Sequence, residues 1–208
     1  MEAMHKSMVE LSEGLDTDKE SRHAFLRFYD CLFSPVRDSA RAVLEVGIHT
    51  GGSLELWRRY FSSAMIYGVD VKVVPPPADS RIRHFQFDQD DEVAWGRAMA
   101  EVGRPLDVVV EDGNHMMASQ QRTFEIVFPQ VVSGGLYILE DLHTSFPELG
   151  WGCGSAQGMT TMAMLQQWQR SGSFDGCHVR DSGRLAKLVA SMAVYGRRDS
   201  LTAAIRRV

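Results

Sequence analysis

Apolar residues follow two alternating rhythms along this 208-residue chain: short unbroken runs, and stripes at helical spacing. The runs Ala42 to Val46, Met65 to Val69, Ile82 to Phe87, Leu106 to Val110 and Leu136 to Leu139 have the length and character of buried parallel strands. Between them, Leu54, Trp57 and Phe61 form the inward stripe of one helix, and helices are predicted over 90–102 and 116–128, the last stopped by Pro129. Ahead of the first strand, Asp16, Thr17 and Asp18 offer capping side chains to a single helix carrying Phe25, Phe28 and Leu32 and ending near Ser34-Pro35. Pro75 to Pro77 forces an extended loop.

Beyond the fifth strand lies a Gly-containing stretch, 143–158, then a helix around Met159 to Arg170. Two more apolar runs follow, Leu188 to Tyr195 and Leu201 to Val208. Only Gly196 to Asp199 joins them, too short for a parallel crossover, so this pair must be an antiparallel hairpin. Strands alternating with helices imply a doubly wound, mostly parallel α/β sheet. The expectation is one seven-stranded domain over 1–208, with 1–40 as an N-terminal helical cap and the hairpin at the C-terminal end.

Composition narrows the function classes. A formal charge of −5 leaves no basic footprint, which disfavours nucleic acid as a partner. Cys31, Cys153 and Cys177 lack the spacing of a zinc site or a redox pair and read as reduced thiols. The first residues lack the apolar core of a signal peptide, and no run approaches the ~20 apolar residues of a membrane span. A cytoplasmic protein with no membrane partner is expected.

In a doubly wound sheet, ligands bind beyond the carboxyl ends of the strands, where strand order reverses. The first strand ends in Glu45-Val46-Gly47-Ile48-His49-Thr50-Gly51-Gly52-Ser53, a loop in which glycines allow a sharp turn and a close approach to a ligand. A dinucleotide loop reads G-x-G-x-x-G, and this one reads G-x-x-x-G-G. Glu45 would repel a pyrophosphate but favour an ammonium group, as S-adenosylmethionine (SAM) carries. Asp70, closing the second strand, suits ribose hydroxyls. A NAD-dependent oxidoreductase is the rival enzyme, a noncatalytic SAM-binding domain the rival outside catalysis, and plain turn glycines the bland alternative.

The fourth strand ends in Glu111-Asp112-Gly113-Asn114-His115 and the fifth in Glu140-Asp141-Leu142-His143. Acids gathered on one rim repel unless protons or a cation join them, and oxygen ligands suit a hard ion such as Mg²⁺. Such an ion could lower the pKa of a substrate hydroxyl, with His115 as general base, giving O-methylation. Alternatively Glu111 faces solvent and His143 lines a loop, while His5, His23, His84 and His178 read as isolated.

Thr17-Asp18-Lys19, the loop 45–53, Tyr67-Gly68-Val69-Asp70, Asp88-Gln89-Asp90-Asp91, Asp112-Gly113-Asn114-His115 and 134–145 recur in an order that resembles the metal-dependent class I sugar O-methyltransferases of natural-product biosynthesis. The resemblance spans about 15–208 and implies SAM and Mg²⁺ as cofactors. It implies Asp112, Glu140 and Asp141 as metal ligands and His115 as base. Around SAM it implies Glu45, Gly47, Ser53, Asp70, Asp88, Gln89 and Asp112, with Asp88 and Gln89 near the adenine and Thr17 and Lys19 closing over the cofactor. It further implies a homo-oligomer and a glycosylated or polyketide-type hydroxyl acceptor, a catechol-type acceptor being the alternative. Glu111 and Asn114 stand where the family pattern has Asp and Ser, and His49 is unusual in its loop. With no added N-terminal domain foreseen, the acceptor pocket is expected from the first helix, the Gly-containing stretch or another subunit.

Overall fold

The computed structural model describes residues 5–72, 79–146, 158–174, 178–197 and 200–208. Its centre is β1 (Ala42–Val46), buried along its whole length. Parallel pairing with β2 (Met65–Asp70) on one side and β4 (Leu106–Glu111) on the other makes β1 the point where the chain reverses its direction of travel across the sheet. β3 (Ile82–Gln86) extends the sheet beyond β2, and β5 (Val131–Leu139) beyond β4. The order is β3-β2-β1-β4-β5-β7-β6, with β7 (Ser200–Arg207) antiparallel to both β5 and β6 (Val189–Arg197). The doubly wound sheet and its terminal antiparallel hairpin are therefore as the hydrophobic pattern requires.

Side chains lock the register at both ends of the central pair. Asp107 Oδ2 accepts hydrogen bonds from the backbone N–H groups of Arg41 (2.7 Å) and Ala42 (2.9 Å), tying the start of β1 to β4. At the other end, Asp112 N donates to Val46 O at 2.8 Å and Glu140 N to Glu111 O at 2.9 Å, which brings three strand ends level. Helices cover both faces: α5 (Glu92–Val102), α6 (Met117–Val127) and α7 (Thr161–Ser171) on one, with Trp95, Phe124 and Met164 in the core, and the N-terminal helices with α4 (Gly52–Tyr60) on the other. There Phe25, Tyr29, Phe33 and Trp57 pack ring on ring. Such packing of aromatic area is the main force fixing the N-terminal segment to the sheet.

That segment departs from the single helix foreseen. It forms α1 (Met8–Ser12), α2 (Asp18–Ser21) and α3 (Leu26–Phe33), with Ala24 in the left-handed region between the last two (φ 55°). α1 starts in a reciprocal capping box: Ser7 Oγ accepts from Glu10 N, and Glu10 accepts from Ser7 N. This Ser-x-x-Glu signal was readable in the sequence. β5 begins five residues earlier than its apolar run, because Ser133-Gly134-Gly135 interrupts the run without ending the strand. A short α8 (Ser182–Lys187), capped by Asp181, was not foreseen. Pro75 to Pro77, most of 143–158, Cys153, Cys177 and the Arg198-Asp199 turn lie outside the described residues.

Candidate active site at the rim of the sheet

A cavity of about 580 Å³ opens where β1 meets β2 and β4. Thr17, Lys19, Gly47, Ser53, Asp70, Asp88, Gln89, Asp112, His115 and Asp141 line it, so the rim gathers most of the residues singled out from sequence. Glu45 and Glu140 are not in that lining; both carboxylates are turned inward and buried.

The β1–β2 side is built from backbone. Gly47 has φ 82°, and a Cβ there would sit 1.9 Å from the Asp112 carbonyl oxygen, so only glycine lets the loop pass under β4. Asp70 organises that loop: its Oδ2 accepts from Ile48 N (2.9 Å) and His49 N (3.1 Å), and its Oδ1 from Lys72 N (2.9 Å). Gly51, left-handed and offering no side-chain cap, opens α4, whose first residues Gly52 and Ser53 line the cavity. Thr17 caps α2 through Lys19 N. Gln89, though it borders the cavity, is buried, and its amide is committed elsewhere. Nε2 donates to Glu111 (3.0 Å) and Thr123 (3.2 Å), and Oε1 accepts from Asn114 N (2.8 Å).

The β4–β5 side is built from charge. Lys19, only 1% exposed, places Nζ 2.8 Å from Asp112 Oδ2, 2.8 Å from Glu140 Oε1 and 3.2 Å from Glu45 Oε1. Ser53 Oγ adds a 2.6 Å hydrogen bond to the other oxygen of Glu45. Glu45 is thus neutralised from within, and the ammonium partner that its sequence position suggested is an internal lysine. Burial works against the Lys19 charge, but Asp112, Glu140 and Glu45 together outweigh it and hold its pKa well above the usual lysine range. Three acids face that one ammonium. Burial pushes Glu140, Asp112 and Glu45 up from the ordinary carboxylate range; repulsion by Asp112 adds to it at Glu140 and Glu45, and repulsion by Asp141 adds to it at Asp112.

On the solvent side of Asp112, atoms of Asp112, His115 and Asp141 lie within 4.8 Å of one another, a spacing that fits one cation. His115 Nε2 is 3.4 Å from Asp141 Oδ2, while His115 Nδ1 and Asp141 Oδ1 are buried with no hydrogen-bond partner among the described residues. His49, His115 and Asp141 all hold positive φ, and each borders the cavity. Such backbone costs of order 1–3 kcal/mol per residue and gathers at sites where side-chain aim matters.

His23, set aside in the sequence, and Tyr29, not singled out there, belong to this neighbourhood. His23 places Nδ1 2.6 Å from Ser200 Oγ and 3.7 Å from Asp141 Oδ1, and its Nε2 is 3.3 Å from Asp18. That contact with His23 takes the Asp18 carboxyl down to about 2. Tyr29, fully buried, lies beside Glu140 and within 3.5 Å of Thr202 Oγ1. Their spacing from Lys19, four and ten residues, was visible, but nothing local marked it as pointing at β5. Glu111 does not face solvent. It is fully buried beside Gln89, and burial lifts its carboxyl to about 8.

Comparison with known proteins places the sequence and fold. No protein-family model matches the chain. It is 36% identical over 137 residues to the 8-demethyl-8-alpha-L-rhamnosyl tetracenomycin-C 2'-O-methyltransferase of Streptomyces olivaceus, a match covering 62% of this chain and 36% of that protein. It is 32% identical over 169 residues to the L-olivosyl-oleandolide 3-O-methyltransferase of Streptomyces antibioticus, covering 76% of this chain and 42% of that protein. The MycE methyltransferase of the mycinamycin pathway, solved with Mg, SAH and mycinamycin VI, superposes with a TM-score of 0.81 at 28% identity, over 97% of this chain and 54% of MycE. The chain spans about half the length, or less, of these proteins. By sequence and by fold, the chain is a relative of the sugar O-methyltransferases of the macrolide and tetracenomycin pathways.

Proposed function

We propose that this rim transfers a methyl group from SAM to a hydroxyl of a glycosylated or polyketide-type small molecule, with Mg²⁺ at the acids. The observation that carries the reading is the juxtaposition of the glycine-loop cavity with the Asp112–His115–Asp141 group. Both groups fit the residues present. The Gly47 turn, which has no room for a side chain, and the Asp70-bound loop border the cavity where a cofactor would lie, and Asp141 Oδ1 is a buried acceptor with no hydrogen-bond donor among the described residues. SAM supplies an electrophilic methyl group, and a divalent ion supplies charge that acidifies a hydroxyl.

The protein's own residues would do the rest. Thr17, Gly47, Ser53, Asp70, Asp88 and Gln89 shape the cofactor pocket, Gln89 by fixing Asn114 and Glu111 rather than by offering its own amide. Asp112 and Asp141 hold the ion; Glu140, which the sequence motif puts in the same set, is held by Lys19. His115 would take the acceptor's proton at Nε2, where Asp141 stabilises the resulting imidazolium. Mycinamycin VI and rhamnosyl and olivosyl compounds appear in the names of the relatives, which favours a sugar hydroxyl over a catechol.

Calorimetric titration tests the reading. SAM and S-adenosylhomocysteine should bind the metal-free protein, Mg²⁺ should give a separate signal, and Asp141→Asn should abolish that signal while sparing nucleoside binding. Failure of both nucleosides to bind would remove the proposal and bring the dinucleotide alternative forward.

A further inference from the structure

We infer that Lys19 is a built-in cation that competes with the divalent ion for the acids of the rim and thereby sets metal affinity. The inference rests on the metal half of the proposed function. Asp112 is shared: one face of its carboxylate meets Lys19 Nζ at 2.8 Å, and the same side chain belongs to the Asp112–His115–Asp141 group. Glu140, which the sequence motif groups with the metal ligands, gives Oε1 to Lys19 at 2.8 Å. The ammonium thus holds one oxygen each of Asp112 and Glu140, two acids of the proposed metal set, and is buried where charge interactions are little screened.

The lysine is placed rather than incidental. Thr17 caps α2 through the Lys19 backbone N–H, and Phe25 N donates to Lys19 O at 2.8 Å, so the side chain is fed inward from a fixed stem. Without Lys19, Glu45, Asp112 and Glu140 would lose the cation they share, since Ser53 is a neutral partner to Glu45. Lys19 therefore lets the acids fold together in the absence of metal, and in doing so lowers their affinity for it. It is a positioning residue: it touches the acids, not the reacting atoms.

The test is Mg²⁺ titration followed by calorimetry, with melting temperature as a second readout. Lys19→Met should bind Mg²⁺ about tenfold or more tightly than the unaltered protein, the equivalent of ~1.4 kcal/mol. It should also melt lower without metal and gain more on adding it. Because that variant leaves three buried acids and could fail to fold, the decisive pair is Glu140→Gln against Lys19→Met/Glu140→Gln. Both lack the same acid and differ only in the lysine, and the double variant should bind Mg²⁺ more tightly. Equal or weaker binding by the double variant overturns the competition while leaving the proposed methyl transfer standing. Binding by the lysine-free variants alone supports the competition and overturns a metal requirement for the unaltered chain. Binding by none overturns both.

Discussion

The β1–β2 side of the rim is made of backbone, glycine and a single aspartate, whereas the β4–β5 side is made of buried charge. On the first side the parts lie close in sequence: Ile48 and His49 meet Asp70 across about twenty residues. On the second, Lys19 crosses 93 residues to reach Asp112 and 121 to reach Glu140. A backbone cradle is set mainly by shape, because its N–H groups do not titrate. A charge cluster has one good state per occupancy, and each missing partner is expensive. The cofactor side is therefore expected to fail by shape and the acid side by charge.

The largest effect should come from the charged side. His115→Ala is expected to lower methyl transfer by about 10²–10⁴-fold, the range typical of a lost general base. SAM binding should be nearly unchanged, because His115 sits at the acid end of the cavity. Turnover equal to the unaltered protein would remove its role, and a parallel loss of Mg²⁺ affinity would make it a ligand instead. On the backbone side, Gly47→Ala forces a Cβ to 1.9 Å from the Asp112 carbonyl at φ 82°. A loss of more than about 2 kcal/mol in stability, with weakened SAM binding, is expected from strain and displacement together. Denaturant unfolding checks it; a variant as stable as the parent would show that the loop does not need to pass so close to β4.

How much of this was legible follows the same division. The glycine loop, Asp70 and the acidic ends of β4 and β5 could be read directly, since each is a local motif at the end of an apolar run. The mostly parallel sheet and its antiparallel hairpin followed from the alternation of runs and the four-residue link between the last two, whereas the place of β7 between β5 and β6 did not. Lys19 could be named but not placed, because no periodicity tells a side chain on α2 that it will lie against β1, β4 and β5. Glu111 was open to misreading for a related reason. Alternation distinguishes faces only when one face is wet, and β4 is buried on both, so an acid at its end carries no directional signal.

The smallest effect probes that buried acid. With its carboxyl raised to about 8 from an ordinary 4.5, chiefly by burial, Glu111 favours the folded state most fully below pH 4.5. That contribution is lost as pH rises from there toward 8, because the unfolded chain ionises first. Glu111→Gln should make stability fall less steeply between pH 5 and 8, by at most a few kcal/mol over the interval. Scanning calorimetry across that range would read it, and an unchanged slope would show that Glu111 is ionised in the fold.

The lysine tether also bears on assembly. Its three carboxylate partners stand at the ends of β1, β4 and β5, so Lys19 has no complete binding site until those strands are paired. Closing contacts over such separations costs chain entropy before any reward is collected. Docking of the segment carrying α2 and neutralisation of the rim's acids are therefore coupled: neither is complete without the other.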